Sequence, residues 1–441
     1  MPHLLNALYL LLLVALSPIL LFRLAVTGKY RRGLLQKFFG LTPFLPHTRK
    51  HRVWFHAVSV GEVLLLRPIL ARLRHRQPNW ECVLSVSTDT GYDVARKTYP
   101  ELTVFWFPLD FSWAVRRALR RVRPHMVVLA ELELWPNFIS FAKAAKAKVA
   151  VVNGRMSPRS YRGYRRIRGF MRQLLGKVDL LAVQTPEYAE RLHELGAAAE
   201  RIRVTGSVKF DGILCDPRNY KTLQLARILG LEEVAGEVAP LVWVVGSTQD
   251  PEERMALRIY KRLKDDFPEL RLVLVPRHKE RFEAVASLIV AEGLPLLRRS
   301  QAEKSRDFFE LNSVILIDSL GELAAIWGLA DVAFVGGSLT RRGGQNMIEP
   351  AAYGKGVTFG PNTWNFKDVV DRLLENRGAI RVQNEAEWKT VTQRLLGYPE
   401  ERLALGQRAQ EYVLKQQGAA ERTIDGLESL IKSPAQIVVA A

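Results

Sequence analysis

The chain contains 441 residues, of which 64 are Lys or Arg and 45 are Asp or Glu, so its formal charge is +19. Hydrophobic residues make up 48% of the chain and charged residues 25%, which excludes a disordered or fibrous protein and provides enough apolar material for two domains of ordinary size. The two cysteines, Cys82 and Cys215, stand far apart and outside any Cys/His cluster, so neither a disulfide framework nor a structural zinc site is predicted.

The first predicted element is an apolar helix. Residues 4–22 are almost uninterrupted Leu, Val, Ala and Ile, and a helix of that length spans about 28 Å. Four basic residues follow or flank its end: Arg23, Lys29, Arg31 and Arg32. By the positive-inside rule this pattern predicts an uncleaved, single-pass inner-membrane anchor over residues 1–27, with the rest of the chain on the cytoplasmic side. The alternative is a buried core helix, which would normally show an amphipathic stripe.

The remainder predicts an α/β protein with two Rossmann-like domains that face each other across a cleft. Short β-rich runs alternate with segments of helical periodicity, which is the signature of a parallel sheet. Strands are predicted at 53–58, 82–87, 126–130, 149–152, 180–183 and 202–204, and in a second series at 241–245, 272–275, 314–317, 332–335 and 357–359. A loose polar stretch between the two series predicts a first domain over residues 28–225 and a second over residues 236–441.

Parallel sheets bind ligands at the carboxyl ends of their strands, and the first polar motif follows the first predicted strand. It reads His-Ala-Val-Ser-Val-Gly-Glu over residues 56–62. Gly61 permits a tight turn, and Glu62 falls in the first turn of a helix, where backbone N–H dipoles favour a carboxylate. Glu62 is therefore a candidate general base, and ordinary helix capping is the alternative.

A second acidic motif follows the strand at 126–130. Glu131 and Glu133 stand at the mouth of the sheet beside Trp135. One of the two could decorate the helix that begins at Pro136, but the pair next to an indole indicates a polar site with an aromatic wall.

Two short motifs of the second domain also follow strands. Arg277 and His278 come after the strand at 272–275, and a guanidinium is suited to bidentate contacts with phosphate. Ser247 and Thr248 come after the strand at 241–245, where a small hydroxyl-bearing turn serves equally as a phosphate cradle or as a helix cap.

The densest polar region covers residues 336–350, in which two glycine pairs flank two arginines. Glycines such as Gly336 and Gly337 let backbone amides approach a phosphate, and Glu349 lies about one turn into the next helix, where a carboxylate can accept the hydroxyls of a ribose. Neither the Walker A pattern nor GxGxxG is present. A purely structural glycine turn is the alternative.

A basic run covers residues 134–178, which contain eleven Lys or Arg and no acid. A solvated basic face is the usual explanation of such a run. Next to a membrane anchor it predicts attraction to an anionic membrane surface or a phosphorylated lipid, and the anchor disfavours nucleic acid as the partner.

Taken together and in order, these motifs resemble the Kdo (3-deoxy-D-manno-octulosonic acid) transferase family. The resemblance rests on the apolar N-terminus, the His-Ala-x-Ser-x-Gly-Glu turn, Glu-x-Glu-Leu-Trp-Pro, Val-Pro-Arg-His and Gly-Gly-x-Asn-x-x-Glu-Pro, and it extends to about Asp371. It implies a GT-B glycosyltransferase that moves Kdo from CMP-Kdo to the lipid A precursor with inversion. It also implies that no metal or other cofactor is needed, because a leaving group with one phosphate can be stabilised by helix dipoles and arginine.

The resemblance also implies roles for individual residues. Glu62 would deprotonate the acceptor hydroxyl, while Glu131 and Glu133 would line the sugar and acceptor side. For the nucleotide it implies contacts of CMP with Arg277 and His278, of its phosphate with Ser247, Thr248, Gly336, Gly337 and Ser338, of the ribose with Glu349, and support of the loop by Asn346. A last helix is expected to pack back on the first domain.

This chain departs from the family pattern at two positions, since the family commonly has His where Gln345 and Asn362 stand here. Both can still form hydrogen bonds, but neither can act as a protonated acid. Two other functions remain open from the residues: a GT-B transferase that uses a UDP-sugar on another membrane lipid, and a non-enzymatic, membrane-tethered basic binding protein.

Overall fold

The computed structural model describes residues 2–26, 32–232, 238–303 and 313–431, with the side chains of 19–21 and 23–26 left undescribed. The chain forms two compact units. One comprises Met1–Asp211 with Gln417–Ala441, and the other comprises Gly212–Gln416.

In its described residues the first unit contains a parallel sheet of seven strands. These are β1 (His51–Ala57), β2 (Trp80–Val86), β3 (Thr103–Trp106), β4 (Met126–Ala130), β5 (Lys148–Gly154), β6 (Leu180–Val183) and β7 (Ile202–Val204). Its helices up to residue 194 are α1 (Pro2–Val26), α2 (Leu34–Phe39), α3 (Val60–Arg76), α4 (Asp89–Thr98), α5 (Ser112–Val122), α6 (Pro136–Ala144), α7 (Pro158–Arg165), α8 (Arg168–Leu175) and α9 (Pro186–Glu194).

The strand order of the first sheet is β3-β2-β1-β4-β5-β6-β7. β4 is buried along its whole length, because helices cover both faces of the sheet. Val127 and Leu129 enter one apolar core, and Met126 and Val128 enter the other. The strands that follow β1 are added on one side of it up to β3 and on its other side from β4 onwards, so the loops after β1 and β4 diverge and leave room for a ligand at the carboxyl edge.

Polar side chains hold the beginning of α1 against the first unit. Asn6 donates from Nδ2 to Ser112 Oγ at 2.7 Å and accepts from the Ser112 amide at 3.0 Å, and Tyr9 donates to Asp110 at 3.0 Å. Asp110 also accepts the amide of Asn137 at 2.9 Å. Burial raises the pKa of Asp110 to about 6, although these donors oppose the rise.

Across the described residues we find no helix with the length and apolar character that crossing a bilayer requires. The predicted transmembrane anchor over residues 1–27 is therefore not supported. Lys29 and Arg31, which contributed to that prediction, lie outside the described residues. Arg32 forms an ion pair with Asp93 at 2.8 Å, so its charge serves a contact within the first unit.

The second unit contains another parallel sheet, which has seven strands in the described ranges. These are β8 (Leu241–Thr248), β9 (Leu270–Pro276), β10 (Leu296–Arg298), β11 (Val314–Leu316), β12 (Val332–Val335), β13 (Gly356–Phe359) and β14 (Ala379–Arg381). Its helices are α10 (Tyr220–Ile228), α11 (Glu252–Lys264), α12 (Phe282–Ala291), α13 (Arg299–Ala302), α14 (Leu323–Ile326), α15 (Ile348–Ala352), α16 (Lys367–Glu375), α17 (Glu385–Gly397) and α18 (Pro399–Gln416).

The strand order of the second sheet is β10-β11-β9-β8-β12-β13-β14. Its first strand, β8, lies between β9 and β12, which creates a second switch point at the carboxyl edge. Trp243 of β8 and Leu272 of β9 are fully buried and pack in one core with Trp388 of α17. The loops after β8, β9 and β12 therefore start from rigid, buried strands.

The last described helix, α19 (Ala419–Ile431), belongs to the first unit. The amides of Gly418 and Ala420 donate to the two oxygens of Asp211 at 2.7 and 2.6 Å, which caps the start of the helix. Leu427 is fully buried in the core that covers one face of the first sheet. The C-terminal segment thereby completes the first unit.

The boundary between the units lies earlier than the polar stretch suggested. The second unit begins at Gly212, and α10, which the sequence analysis divided at residue 225, packs within it. Thr222 donates to the carbonyl of Ala325 at 3.0 Å, and Asn219 donates to the Tyr353 hydroxyl at 3.2 Å. The centre of the predicted linker, residues 233–237, and the tail after residue 431 lie outside the described residues.

Candidate active site

Glu62 closes a capping box at the start of α3. Ser59 is the N-cap residue, and its hydroxyl donates to Glu62 Oε1 at 3.0 Å, while the Val58 amide donates to Oε2 at 2.8 Å. Glu62 therefore does cap the helix, as the alternative interpretation of this residue predicted. Each carboxylate oxygen can accept a second hydrogen bond, so the capping contacts leave Glu62 able to accept a proton.

Glu131 and Glu133 lie in the loop after β4, next to the loop that carries Glu62. Glu131 adopts a left-handed backbone with φ of 53°, which is strained for a residue with a side chain, and its amide donates to the Val152 carbonyl at 2.9 Å. The charges of Glu62 and Glu131 both contribute to raising the pKa of Glu133. We call Glu62, Glu131 and Glu133 the carboxylate cluster.

The carboxylate cluster is an environment that resists negative charge. Burial, followed by the charges of Glu62 and Glu131, raises the pKa of Glu133 to about 7. Burial also raises the pKa of Glu62, against the pull of its capping donors. The cluster can thus hold or release a proton near neutral pH, as acid–base chemistry requires. No group of three His, Cys, Asp or Glu side chains within the described ranges is placed to hold a metal ion.

An aromatic wall stands beside the cluster. His56 stacks on Phe107 with ring centroids 3.6 Å apart, and Trp135 packs against the same phenyl ring at 5.9 Å. His56 Nδ1 lies 3.1 Å from the Ser85 carbonyl, which can only accept, so Nδ1 carries the proton. Burial lowers the pKa of His56 to about 3, so the ring stays neutral. His56 opens the Glu62 motif but was not among the predicted site residues.

Two polar atoms of this wall are buried without a hydrogen-bond partner among the described residues: His56 Nε2 and Trp135 Nε1. The indole N–H faces Glu133 and opposes the rise of its pKa, but it does not reach hydrogen-bond geometry. Buried polar atoms are normally satisfied. An acceptor and a donor left open beside a carboxylate cluster are suited to a hydroxyl-rich ligand such as a sugar.

In the second unit, Glu252 occupies the glycine-rich turn after β12. Its carboxylate is fully buried and accepts the amides of Gly337, Ser338 and Leu339 at 2.7, 3.0 and 2.9 Å. Gly336 is required here, because a Cβ at that position would lie 2.9 Å from the Glu252 carboxylate. The amides that the sequence analysis assigned to a phosphate are thus already bound to a side chain, and this part of the prediction loses its donors.

The two hydroxyl-bearing residues at the end of β8, Ser247 and Thr248, are both buried but differ in their contacts. Thr248 is fully buried and donates to Glu253 at 2.9 Å, and Glu253 also forms an ion pair with Arg281 at 3.0 Å. Ser247 has a left-handed backbone with φ of 55° and makes no hydrogen bond through its side chain to any described residue. Strain of this kind at the end of a central strand is typical of ligand sites. Thr248 is therefore structural, and Ser247 remains available.

Glu349, Asn346 and Arg277 come together at the same edge of the second sheet. Asn346 donates from Nδ2 to Glu349 Oε1 at 2.9 Å, and its Oδ1 accepts the Ile348 amide at 3.0 Å. Burial raises the pKa of Glu349, and the positive charge of Arg277 opposes that rise, so the two side chains are close. Arg277 and His278 are exposed. No described contact joins His278 to this group.

Glu252 and Glu253 were not among the predicted site residues. Their signal was visible as two adjacent acids in the first turn of the helix after β8. One of the two departures from the family pattern also has a structural use here, since Asn362 donates to the Ser338 carbonyl at 3.2 Å and so supports the same turn.

The chain thus has two α/β units with parallel sheets, and each unit carries its candidate residues at the switch point of its sheet. This architecture is shared with known proteins of one fold class. The structure is similar to a glycosyltransferase from Rickettsia africae with a TM-score of 0.55 and 11% identity, covering 88% of this chain and 100% of that one. At this identity the likeness shows the fold alone, and that fold is the GT-B fold of glycosyltransferases.

Sequence comparison identifies the family. Residues 31–212 match the profile described as 3-deoxy-D-manno-octulosonic-acid transferase (kdotransferase). The chain is 31% identical over 408 residues to the 3-deoxy-D-manno-octulosonic acid transferase of Haemophilus influenzae, which covers 92% of both proteins. It is 34% identical over 385 residues to that of Bordetella pertussis, covering 85% of this chain and 86% of the relative. The chain belongs to the Kdo transferase family.

Proposed function

We propose that this protein transfers Kdo from CMP-Kdo to the lipid A precursor in lipopolysaccharide core biosynthesis, with inversion at the anomeric carbon. The observation that carries the proposal is the carboxylate cluster at the switch point of the first sheet, in a chain of this family. An acceptor hydroxyl attacks the anomeric carbon, the bond from that carbon to the CMP phosphate breaks, and the hydroxyl proton passes to Glu62.

Glu62 suits the role of base for two reasons. Its capping hydrogen bonds hold the carboxylate in one orientation, and burial raises its pKa, which strengthens it as a proton acceptor. Glu131 and Glu133 are proposed to line the sugar and acceptor side with Trp135. The open donor and acceptor of Trp135 and His56 would pair with hydroxyls of the bound sugar or acceptor.

We propose fewer nucleotide-binding residues than the sequence motifs predicted. We assign Arg277 and Ser247 to the phosphate, because both side chains are free of ion pairs and hydrogen bonds to the described residues. Glu349, oriented by Asn346, is assigned to the ribose, and His278 to the CMP moiety. We assign no direct nucleotide contact to the turn formed by Gly336, Gly337 and Ser338, because Glu252 binds its amides and fixes the loop. Thr248 is likewise bound to Glu253.

The lipid acceptor implies work at a membrane surface. α1 supports this part of the proposal, because its outer side exposes large apolar residues, among them Leu4 at 76%, Leu11 at 67% and Val14 at 70% of their surface. Exposed apolar patches on this scale mark contact surfaces. The proposal is that this side of α1 meets lipid.

The test is incubation of the purified protein with CMP-Kdo and the tetraacylated lipid A precursor, followed by mass spectrometry of the lipid. The proposal expects addition of one or more Kdo units with release of CMP. Unmodified lipid from a protein that is folded by circular dichroism would refute it. The Glu62→Gln variant serves as the inactive control.

Nucleotide binding distinguishes the proposed CMP-Kdo donor from the alternative, a UDP-sugar donor. Thermal shift with CMP and with UMP should show stabilisation by CMP and none by UMP, because ligand binding stabilises only the state that binds it. Stabilisation by UMP alone would favour a UDP-sugar donor, and no response to either nucleotide would favour the non-enzymatic binding protein. We also propose that no metal cofactor is required, so that transfer should persist in EDTA.

A further inference from the structure

The first unit contains a basic groove that the proposed transfer does not use. Helices α8 and α9 and the turn after α9 enclose a cavity of about 600 Å³, open to solvent. Its lining residues are Arg168, Gly169, Arg172, His193, Gly196 and Ala197. None of them is acidic, and two arginines and a histidine are among them.

One wall of the groove requires glycine at position 196. Gly196 has φ of +100°, and a Cβ there would lie 2.7 Å from Cγ of Arg172, so the stem of Arg172 rests directly on the glycine. His193 is oriented too, because its Nδ1 donates to the Ala197 carbonyl at 3.1 Å. That hydrogen bond leaves Nε2 of His193 free to face a ligand.

The charges of the groove are not neutralised by the described part of the protein. Arg168 and Arg172 lie one helical turn apart on α8, a spacing at which like charges repel, and neither forms an ion pair with a described residue. Two other basic residues of the first unit do have partners: Lys143 pairs with Asp179 at 2.7 Å, and Arg191 donates to the Met156 carbonyl at 2.7 Å. An anion between the two arginines would relieve the repulsion.

The groove also lies away from the carboxylate cluster. α9 starts after the carboxyl end of β6 and ends before β7 begins, so His193 and Gly196 lie near the amino edge of the first sheet. Glu62 and Glu131 follow the carboxyl ends of β1 and β4 at the opposite edge. A strand of about five residues separates the two edges by roughly 16 Å.

We propose that this groove is a binding site for a phosphate group, held by bidentate contacts from Arg168 and Arg172 and by His193. Guanidinium groups match phosphate oxygens in geometry and charge, and Arg is the preferred residue for such recognition. The same chemistry serves inorganic phosphate and the phosphate of a lipid headgroup, and the experiment separates these sources.

The experiment uses the full chain in two arms at one fixed ionic strength. Isothermal titration with inorganic phosphate measures the free anion. Flotation with phosphatidylcholine vesicles, with and without phosphatidic acid, measures a headgroup phosphate. The groove variant is Arg168→Gln/Arg172→Gln. The matched control, Arg162→Gln/Arg166→Gln, removes the same charge from exposed neighbours outside the groove lining.

The groove variant should lose at least tenfold in affinity, while the control stays within about twofold of the unmodified protein. Loss in the titration identifies free phosphate as a ligand, and loss only with phosphatidic acid vesicles identifies a headgroup. Equal losses in both variants would mean that bulk charge alone attracts the anion, and would overturn the proposal, as would an unmodified protein that binds in neither arm. Neither readout involves Kdo transfer, so the result is independent of the proposed function.

Discussion

At the level of single residues, Glu62 shows how capping and chemistry can share one side chain. Its carboxylate satisfies the Val58 amide and the Ser59 hydroxyl at the start of α3, and these contacts also hold it in one orientation at the edge of the sheet. A side chain whose orientation is fixed by its own helix loses little entropy when it meets a substrate. The two roles can be separated because glutamine keeps the cap but cannot take up a proton.

Glu62→Gln should lower the turnover of Kdo transfer by about 10² to 10⁴, the usual contribution of a general base, with CMP affinity unchanged. Its melting temperature should stay near that of the unmodified protein. The control is Ser59→Ala, which removes the cap at a cost of about 1 kcal/mol but leaves the carboxylate in place, and it should retain most activity. Near-normal turnover of Glu62→Gln would remove Glu62 from the mechanism.

Glu133 provides a pH-dependent prediction. The folded protein raises its pKa from 4.5 to about 7, so the native state holds this proton more tightly than the unfolded chain does. Ionisation of Glu133 therefore lowers the free energy of unfolding as the pH rises from about 4.5 to about 7. Glu133→Gln should stabilise the protein by about 1 kcal/mol at pH 8, after allowance for partial exposure, and by much less at pH 5.

Thermal melting of Glu133→Gln and the unmodified protein at pH 5 and pH 8 measures this difference. Glu190→Gln, an exposed residue of α9, makes the same chemical change away from the carboxylate cluster and should shift neither melting temperature. If Glu133→Gln changes both temperatures equally, the charge coupling within the cluster is contradicted.

At the level of elements, the second unit uses one carboxylate to join a helix to a loop. Glu252 stands in the first turn of α11 and binds the amides of the turn after β12, together with the Gln249 amide at 3.0 Å. Four backbone amides thus surround the buried Glu252 carboxylate, as they would surround a bound anion. The loop that leads to Asn346 and Glu349 is thereby positioned before any nucleotide arrives.

Glu252→Gln should destabilise the second unit by about 2–4 kcal/mol, because the glutamine NH₂ group would face amide donors and leave buried N–H groups unsatisfied. CMP affinity should fall as well, because the loop carrying Glu349 loses its support. Hydrogen exchange of the peptides over residues 241–350 and a CMP titration measure both effects. Glu280→Gln, an exposed residue between β9 and α12, is the control, and equal behaviour of the two variants would count against this role of Glu252.

At the level of the whole molecule, the chain leaves the first unit, builds the second and then returns. α19 brings the last described residues back to the first unit, where Arg76 contacts Glu421, Asp425 and Glu428. Most of these ion pairs are at the surface and contribute little to stability. The buried apolar side of α19, which includes Leu427, carries most of the free energy of this return.

Leu427→Ala should lower the free energy of unfolding of the first unit by about 2–5 kcal/mol, as expected for a buried leucine. The second unit should be unaffected. Hydrogen exchange followed by mass spectrometry reports each unit separately, and Ser429→Ala, an exposed residue of the same helix, is the control. Faster exchange spread equally over both units would contradict the assignment of α19 to the first unit.

The parallel α/β class, most of the strands and the loops that carry the candidate residues could be predicted from the sequence. A strand buried on both faces must be a continuous apolar run, as Met126–Ala130 is, and such runs are visible without coordinates. The short edge strands β3, β10 and β14 were not predicted, although β7, an edge strand of three residues, was. The N-terminal apolar run was interpreted as a membrane span, since hydropathy does not register the polar contacts of Asn6 and Tyr9.

Which of the candidate residues come close together depends on the packing of the strands and could not be predicted from local sequence. Strand order brings the loop of Glu62 beside the loop of Glu131 and Glu133, although other strands separate them along the chain. It also placed Glu252 on amides that local sequence assigned to a phosphate. A local sequence pattern indicates which kinds of group a residue can bind. Which group it does bind depends on the distant segments that pack against it, and the packing of the sheet determines those.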